Sequence, residues 1–541
     1  MKKFQLTAIA TLLAFCLSAQ TFTSSNLPIV VINTNGQTIL DDPKIMADMG
    51  IVYNGPGVRN NVTDAFNHYN GKIGIEIRGQ SSQSFPMKSY GFELWDNAGS
   101  SKSQSILGMP SESDWVLYAP YTDKTLMRNF LAYTMSREMG HWAANSRYVE
   151  VMLNNQYVGI YVLMEKVKRN NNRVSISKLN TTDISGDAVT GGYIFSLDKD
   201  APAWVSQYLP QNSTAGQSIR FCNVYPKSTA IVAEQSSYIR MYVDSFETAL
   251  NNNKYQDKQT GWRKYADENS FIDYFIVNEV SRNVDGYRLS TFLYKDRSSK
   301  GGKLVAGPVW DYDLAFRNAN YCKGSDTAGW AYEFNKNCPQ DYWQVPFWWS
   351  KMAGDSSFQG KLRCRWKELR STGVLSDVRL NQLIDSIVSL TAEARQRHFQ
   401  KWPVLGQYVW PNPDPIAYSY SGEIDYLKGW LGYRLAWIGK NLKNVGGCYD
   451  YPASVKEAIM IQFYPNPFED NITVNVKSRY NQALHLSVYD VSGRNVYEQS
   501  ASILSGSNYL TMPLVRLSPG IYFVRYSAPS GENGTFKMLK K

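Results

Sequence analysis

The hydrophobic pattern breaks late in the chain, and this break constrains the fold more than any other feature. From Phe463 to the C-terminus the chain consists of short strand-like segments about ten residues apart, separated by turns such as residues 490–493. Regular short strands of this kind indicate a small β-sandwich. We therefore expect a large domain over 20–447, a linker over 448–458 and an immunoglobulin-like all-β domain over 459–541.

The large domain changes from strand to helix periodicity. Residues 72–78 alternate as a strand does, whereas 125–138 has apolar residues on one helical face behind Asp123. Two β-rich segments around residues 154–155 predict a central hairpin. The other predicted elements are strands at 88–94, 289–295 and 303–309, and helices at 271–281, after a Ser376 cap, and at 423–442. A sheet-rich first half and a helix-rich second half predict an α+β domain of two lobes, with the ligand site in the cleft between them.

Composition argues against nucleic-acid binding, zinc-dependent hydrolysis and Ser-His catalysis. The chain has a formal net charge of +10, but its Lys and Arg residues are scattered and form no nucleic-acid module, so we expect no nucleic-acid partner. The four histidines, at 68, 141, 398 and 485, have no metal-type spacing. Any chemistry should therefore depend on carboxylates and Lys.

The N-terminus resembles an export signal. Lys2 and Lys3 precede an apolar run over 6–17, and small residues follow near position 19, so we predict a signal peptide over 1–19. The run is too short to span a bilayer, and no later segment is apolar enough to be a transmembrane segment. Cys16 leaves lipidation as the alternative, although bulky Phe15 precedes it.

Export permits disulfide bonds. Cys322 and Cys338 flank a short Gly/Asn-rich loop and are the favoured pair. A second bond, between Cys364 and Cys448, is possible. Cys222 would then remain as a buried thiol.

Two segments of the sheet-rich half could contact a phosphorylated ligand. Arg78 to Ser82 place a Gly and small polar residues between two strands, and Lys88 follows on the returning strand. Backbone N–H groups and a Lys so placed can bind phosphate. Glu165 and Lys166 lie at the exit of the central hairpin and could rim a cleft. The alternatives are a Ser-rich hairpin loop and a solvated charge run.

Two acidic segments follow in the helix-rich half. Asp285, with Asn283 beside it, ends an apolar helix, and a carboxylate there can accept a proton from an attacking hydroxyl. Asp311 and Asp313 follow a buried strand and can reach the same Mg²⁺ ion. The alternative for each segment is an ordinary Asp-containing turn. The order of Lys, charged crossing, Asp and second Asp is the one that protein kinases use.

The large domain resembles the CotH kinase family. The resemblance covers about residues 70–440 and is carried by residues 77–82, 88–90, 126–129, 161–169 and 310–316. It implies a distorted kinase-like fold that uses ATP with Mg²⁺ or Mn²⁺ and phosphorylates Ser or Thr of a protein substrate. By position, Lys88 would hold phosphate, Asp285 would be the catalytic base, and Asp311 with Asp313 would bind the metal. The candidate nucleotide-binding residues are Arg78, Gln80, Lys88, Glu165 and Lys166.

This sequence departs from ordinary kinases in several places. It has no G-x-G-x-x-G loop and no His-Arg-Asp, and Ser290 occupies the position of the second metal-binding Asn. Asp313 or Asn283 could supply that ligand. Glu138 and Glu150 are the candidates for the carboxylate that pairs with Lys88.

The C-terminal domain resembles the sorting domain of the type IX secretion system of Bacteroidetes. Residues 464–468, 490–494 and 517–525 carry this resemblance. It implies contact with that secretion machinery, transport across the outer membrane, removal of the domain, and release or surface attachment. The alternative is a carbohydrate-binding sandwich.

These features predict an exported kinase-like phosphotransferase. An alternative is a catalytically inactive surface-binding or adhesion protein, for which the aromatic residues at 342–343 and 347–349 could serve. A carbohydrate-active enzyme that uses Asp311 and Asp313 is a third possibility.

Overall fold

The computed structural model describes residues 22–212, 216–371, 373–445, 448, 459–478, 482–504, 506–529 and 533–541. The predicted signal peptide and all of the predicted linker except Cys448 lie outside these residues. Within the described part, no helix combines the length and the apolar character that crossing a bilayer requires.

A closed β-barrel forms the first part of the chain. The elements of this part of the chain are β1 Ser24–Ser25, β2 Ile29–Asn33, β3 Ile45–Val52, β4 Asn60–Asn61, β5 Tyr69–Arg78, β6 Ser89–Trp95, β7 Gln104–Ile106, β8 Met109–Glu112, β9 Asp114–Tyr118, helix α1 Arg128–Glu138, β10 Ser146–Leu153 and β11 Gln156–Glu165. The barrel order is β10-β11-β9-β6-β5-β3-β2, and the parallel pair β2–β10 closes it. Alternate residues of β5, such as Ile73 and Ile75, fill the interior.

An antiparallel sheet and a set of helices follow the barrel. They are β12 Tyr193–Leu197, β13 Trp204–Val205, β14 Arg220–Tyr225, α2 Ala233–Asn251, α3 Glu268–Ser281, β15 Thr291–Lys295, β16 Leu304–Ala306, α4 Phe334–Asn337, α5 Trp348–Gly354, α6 Ser356–Ser371, α7 Asp377–Leu390, α8 Ala394–Lys401 and α9 Tyr420–Asn441. The sheet order is β13-β14-β12-β15-β16. This region has its own hydrophobic core, separate from the barrel interior.

Helix α3 is the centre of that second core. It is buried from Ser270 to Ser281, which is the pattern of a helix enclosed on all sides. Asp267 starts it by accepting a hydrogen bond from Ser270 N at 2.9 Å. Its buried Glu279 is paired with Arg434 of α9 at 3.0 Å, because a buried charge is stable only with a partner. The loops after α3 are thus held by a rigid element.

The C-terminal region is a β-sandwich, as the sequence predicts. Its strands are β17 Ile459–Tyr464, β18 Asn471–Ser478, β19 Gln482–Asp490, β20 Asn495–Ile503, β21 Gly506–Pro513, β22 Gly520–Ser527 and β23 Asn533–Lys540. They form sheets β17-β18-β21 and β20-β19-β22-β23. Ile472, Val474 and Val476 of β18 face Leu486 and Val488 of β19 in the core between the sheets.

The structure confirms the mixed α+β class and both disulfide bonds. Cys322 is bonded to Cys338, Cys364 is bonded to Cys448, and Cys222 is a buried thiol. Closure of the barrel was not predicted. The helix predicted from residue 125 begins only at Arg128, because Asp123 accepts from Arg128 N at 2.8 Å and thereby delays the first turn.

Candidate active site

Two acidic loops meet on the outer edge of the second core. The first follows α3 and carries Asp285, and the second follows β16 and carries Asp311 and Asp313. The Asp285 charge acts on both of the other carboxylates, so the three groups share one electrostatic environment. The structure therefore brings these three predicted site residues together, while their catalytic and metal-binding roles stay predictions.

Asn283 joins the two loops directly. Its Nδ2 donates to the backbone oxygen of Asp311 at 3.2 Å, and its Oδ1 accepts from Asp285 N at 3.2 Å. The Asp285 carboxylate also accepts from Arg288 at 2.8 Å, which fixes its direction. Asn283 is thus a positioning residue between the two acidic groups.

Helix α1 holds the second loop from the other side. Asn129 accepts from Tyr312 N at 2.6 Å, and Tyr133 accepts from Asp311 N at 3.2 Å through its hydroxyl. Arg128 donates to Ala315 O at 3.1 Å while paired with the buried Asp123. Through these contacts, Arg128 and Asn129 fix the position of the loop that bears Asp311.

The backbone is strained at the same place. Asp311 has a φ of 64°, Tyr287 has 71° and Ser290 has 45°, all in the left-handed region that residues with a side chain seldom adopt. Strain of this kind persists only where the surrounding structure enforces it, and it is concentrated at functional sites. The surrounding contacts of Asn283 and Tyr133 supply that enforcement.

Asp311 and Asp313 hold protons more tightly than free carboxylates do. Desolvation by the surrounding protein, and then the negative charge of Asp285, raise the pKa of Asp311 to about 6, although the residue is open to solvent. Desolvation and the charge of Asp311 raise the pKa of Asp313 well above its usual range. A third carboxylate, that of Asp198, also has a raised pKa, first from desolvation. Carboxylates that repel one another in this way favour a neighbouring positive charge.

A divalent cation fits this donor set. Mg²⁺ prefers oxygen ligands and usually binds one or two protein carboxylates together with substrate phosphates. Across the described residues there is no ready-made cage of three or more His, Cys, Asp or Glu side chains. Asp311 and Asp313 therefore suit a cation that phosphate oxygens would also hold.

Arg78 links the acidic loops to an open cavity of about 270 Å³. Desolvation lowers the pKa of Arg78, and the Asp311 carboxylate is the strongest opposing charge. The guanidinium lies 5.5 Å from the centre of the Trp310 ring. Lys166 lines the same cavity, and desolvation lowers its pKa while Asp114 opposes the change. The cavity is thus lined by three cations, since Lys44 also reaches it, together with the four acidic residues Asp41, Asp42, Glu76 and Asp114.

The remaining predicted nucleotide-binding residues are dispersed around this cavity. The Lys88 ammonium donates to Gln83 O at 2.6 Å, within the turn that follows Arg78. Gln80 is exposed and donates to Asp200 at 3.1 Å. Glu165 is buried, accepts from Asn145 N at 2.9 Å and does not line the cavity, so its contacts are those of a structural residue.

Neither candidate partner of Lys88 faces it. Glu138 forms an ion pair with Arg379 of α7, with a second contact at 3.1 Å. Glu150 accepts from Arg397 of α8 at 3.0 Å. The prediction that one of these carboxylates pairs with Lys88 is wrong, because both neutralise arginines from distant helices.

Sequence reasoning missed Asp198. It follows β12 directly, and its carboxylate accepts from Ser290 Oγ at 3.4 Å. The charges of Asp285 and Asp198 act on one another, and that of Asp198 also acts on Asp311. The available signal was weak: an Asp immediately after the mostly apolar residues 193–197, without a motif.

Comparisons with known proteins match both regions of the chain. The family model described as CotH kinase protein matches residues 75–438, and the model described as secretion system C-terminal sorting domain matches residues 462–541. Inner spore coat protein H of Bacillus subtilis (strain 168) is 23% identical over 244 residues, which cover 45% of this chain and 59% of that protein. The chain thus matches less than two thirds of that relative's length.

Two solved structures resemble parts of the chain. Dimeric latent PorU from Porphyromonas gingivalis is 20% identical, with a TM-score of 0.14, and the match covers 15% of this chain and 9% of that one. An immunoglobulin-like β-sandwich protein of the DUF3244 family from Bacteroides vulgatus is 15% identical, with a TM-score of 0.13, and the match covers 15% and 84%. TM-scores this low do not establish a shared fold.

The two family matches settle membership and destination. The C-terminal sorting domain marks the protein for export through type IX secretion, to the cell surface or the medium. The other match extends over more than half of the chain and includes the loops of Asp285 and Asp311. The chain therefore belongs to the CotH kinase protein family.

Proposed function

We propose that this protein is an exported kinase-like phosphotransferase that transfers the terminal phosphate of ATP to Ser or Thr of a protein substrate. The observation that carries the proposal is the convergence of Asp285, Asp311 and Asp313, tied by Asn283 and bordered by Arg78. Charge placed this way suits phosphoryl transfer, where catalysis is mostly positioning and electrostatic stabilisation.

Each side chain of the site has a role in this reaction that suits its chemistry. Arg78 offers a cation to phosphate oxygens at the mouth of the cavity that Lys166 also lines. The Asp285 carboxylate, oriented by Arg288, accepts the proton of the attacking hydroxyl. Asp311 and Asp313 would hold Mg²⁺ or Mn²⁺, and the bound ion would neutralise the negative charge of the phosphates.

Two separate cores support a two-lobed, kinase-like architecture. The barrel has its own apolar interior, and the helices around α3 have another. Glu165 and Lys166 lie where the chain leaves the barrel at the end of β11, as the connection between lobes does in a kinase. Arg78 lines the cavity and its charge interacts with that of Asp311, so a nucleotide would extend from Lys166 toward Asp311.

Phosphate transfer to an acceptor protein tests the proposal. The secreted full-length protein should label casein or itself from γ-³²P-ATP in the presence of Mn²⁺ or Mg²⁺. Asp285→Asn and Asp311→Asn should each reduce the rate at least about a hundredfold. Asp425→Asn, a change of the same type at an exposed position of α9, should leave the rate unchanged. Equal rates for all variants would refute the assigned roles.

A second candidate is a binding protein on an inactive kinase scaffold. Ser290 favours it, since protein kinases carry a metal-binding Asn at this position. The two candidates differ in nucleotide binding. A ligand that binds only the folded protein raises its Tm, so MgATP should stabilise a kinase and leave an adhesion protein unaffected.

A further inference from the structure

Asp198 lies beside Ser290, the position at which protein kinases carry a metal-binding Asn and this chain does not. In protein kinases the catalytic loop supplies an Asn to the second metal ion, and here Ser290 stands in its place. The Ser290 hydroxyl is directed at Asp198 Oδ2, 3.4 Å away, and not at Asp311. The loop of the catalytic base therefore ends against a carboxylate from another strand.

The sheet fixes this juxtaposition. Strands β12 and β15 are antiparallel, and Leu197 is paired with Thr291, so the residues just beyond them, Asp198 and Ser290, face each other. Asp198 Oδ1 accepts from Lys199 N at 2.8 Å, which leaves Oδ2 directed at Ser290. Strand register thus places Asp198 beside the Asp285 loop independently of any sequence motif.

The loop of Asp198 also meets the candidate phosphate loop. Two residues on, Asp200 accepts from Gln80 Nε2 at 3.1 Å. Gln80 follows Arg78, whose guanidinium interacts with Asp311. The Asp198 carboxylate interacts with both Asp285 and Asp311, so it belongs to the same charged group. It is the acidic residue of this group that the kinase pattern does not account for.

We infer that Asp198 supplies a protein carboxylate to the divalent cation of the proposed reaction, in place of the Asn that kinases carry at the position of Ser290. The inference rests on the proposed function. Asp311 would bind the cation from the β16 loop, and Asp198 would bind it from the β12 loop. Two carboxylates together with phosphate oxygens suffice for Mg²⁺ or Mn²⁺.

Mn²⁺ binding measures this role without relying on activity. The full-length protein is titrated with Mn²⁺ in the presence of a non-hydrolysable ATP analogue, and free Mn²⁺ is followed by electron paramagnetic resonance. Asp198→Ala, which removes both carboxylate oxygens, should weaken Mn²⁺ binding about tenfold or more. Asp200→Ala removes an equal charge from the same loop and should change binding less than twofold.

A compensating substitution distinguishes a ligand from a structural residue. Adding Ser290→Asn to Asp198→Ala restores a ligand at the position that kinases use, and this double variant should recover most of the lost affinity. Removing one of several repelling carboxylates should leave the Tm of the cation-free protein unchanged or higher. Asp198→Ser provides a second removal variant with the same expected loss.

The outcomes separate this inference from the proposed function. If Asp198→Ala and Asp198→Ser bind Mn²⁺ like Asp200→Ala while Asp311→Ala does not bind, the inference is refuted and the proposed function stands. If Asp311→Ala also binds normally, both are refuted. Loss of binding in the Asp198 variants without recovery by Ser290→Asn would also overturn the ligand exchange.

Discussion

Removing the amide of Asn283 should uncouple the two acidic loops. This side chain donates to Asp311 O and accepts from Asp285 N, both at 3.2 Å, and only 4% of the residue is exposed. In Asn283→Ala both backbone groups lose their partner. Water has little access to replace it, so the loops should separate or shift.

The structure sets the size of the effect. A neutral hydrogen bond contributes about 1 kcal/mol, so loss of both should lower the free energy of unfolding by about 2 kcal/mol. A displacement of about 1 Å between reacting groups can reduce a rate about a hundredfold. We therefore expect kcat for phosphate transfer to fall about a hundredfold. KM for ATP should change little, because Arg78 and Lys166 are untouched.

Asn60 provides a matched control. It is buried in β4, donates to Leu27 O at 2.9 Å and accepts from Asn54 N at 2.7 Å. Asn60→Ala should cost similar stability in urea denaturation and leave kcat unchanged. If Asn283→Ala loses stability to the same degree as Asn60→Ala but retains kcat, the positioning role of Asn283 is refuted.

Further predictions concern pH and covalent bonds. The folded pKa of Asp311, about 6, exceeds the ordinary Asp value of 3.8, so its stabilising contribution is present below pH 4 and is lost as the pH rises through 6. Asp311→Asn should therefore flatten this part of the pH dependence of the urea midpoint; an unchanged profile would contradict it. Burial raises the pKa of Glu247 to about 7, so Glu247→Gln should be more stable than the parent at pH 8 by up to about 3 kcal/mol, and a less stable variant in chemical denaturation would count against this cause. Replacing both Cys322 and Cys338 by Ser opens a loop with a sequence separation of 16 and should cost about 3 kcal/mol, visible as a lower Tm in calorimetry; an unchanged Tm would show that the bond adds nothing.

Local pattern predicted the elements that depend on near neighbours. The apolar residues of α3 and the alternation in β5 come from short-range periodicity, and the structure contains both. The Ser376 cap of α7 is present, since its hydroxyl accepts from Arg379 N at 3.3 Å. The sandwich strands were likewise evident from their spacing.

Contacts between distant segments could not be predicted in this way. The parallel pairing of β2 with β10 closes the barrel, but the local sequence of β2 does not identify the strand with which it pairs. The partner of Glu138 is Arg379, 241 residues later. Asp198 joins the candidate site only through the register of β12 against β15. A single sequence does not encode such pairings in its local periodicity, whereas Asp285 and Asp311 were found because their order matches a kinase.

The most direct test of the shared site is the anomalous scattering of Mn²⁺ in crystals grown with a non-hydrolysable ATP analogue. We expect a manganese peak within coordination distance of an Asp311 carboxylate oxygen and of the analogue's phosphates, with Arg78 also contacting phosphate. A nucleotide bound on another surface, or a peak remote from Asp311, would contradict a single phosphate-transfer site formed by these loops.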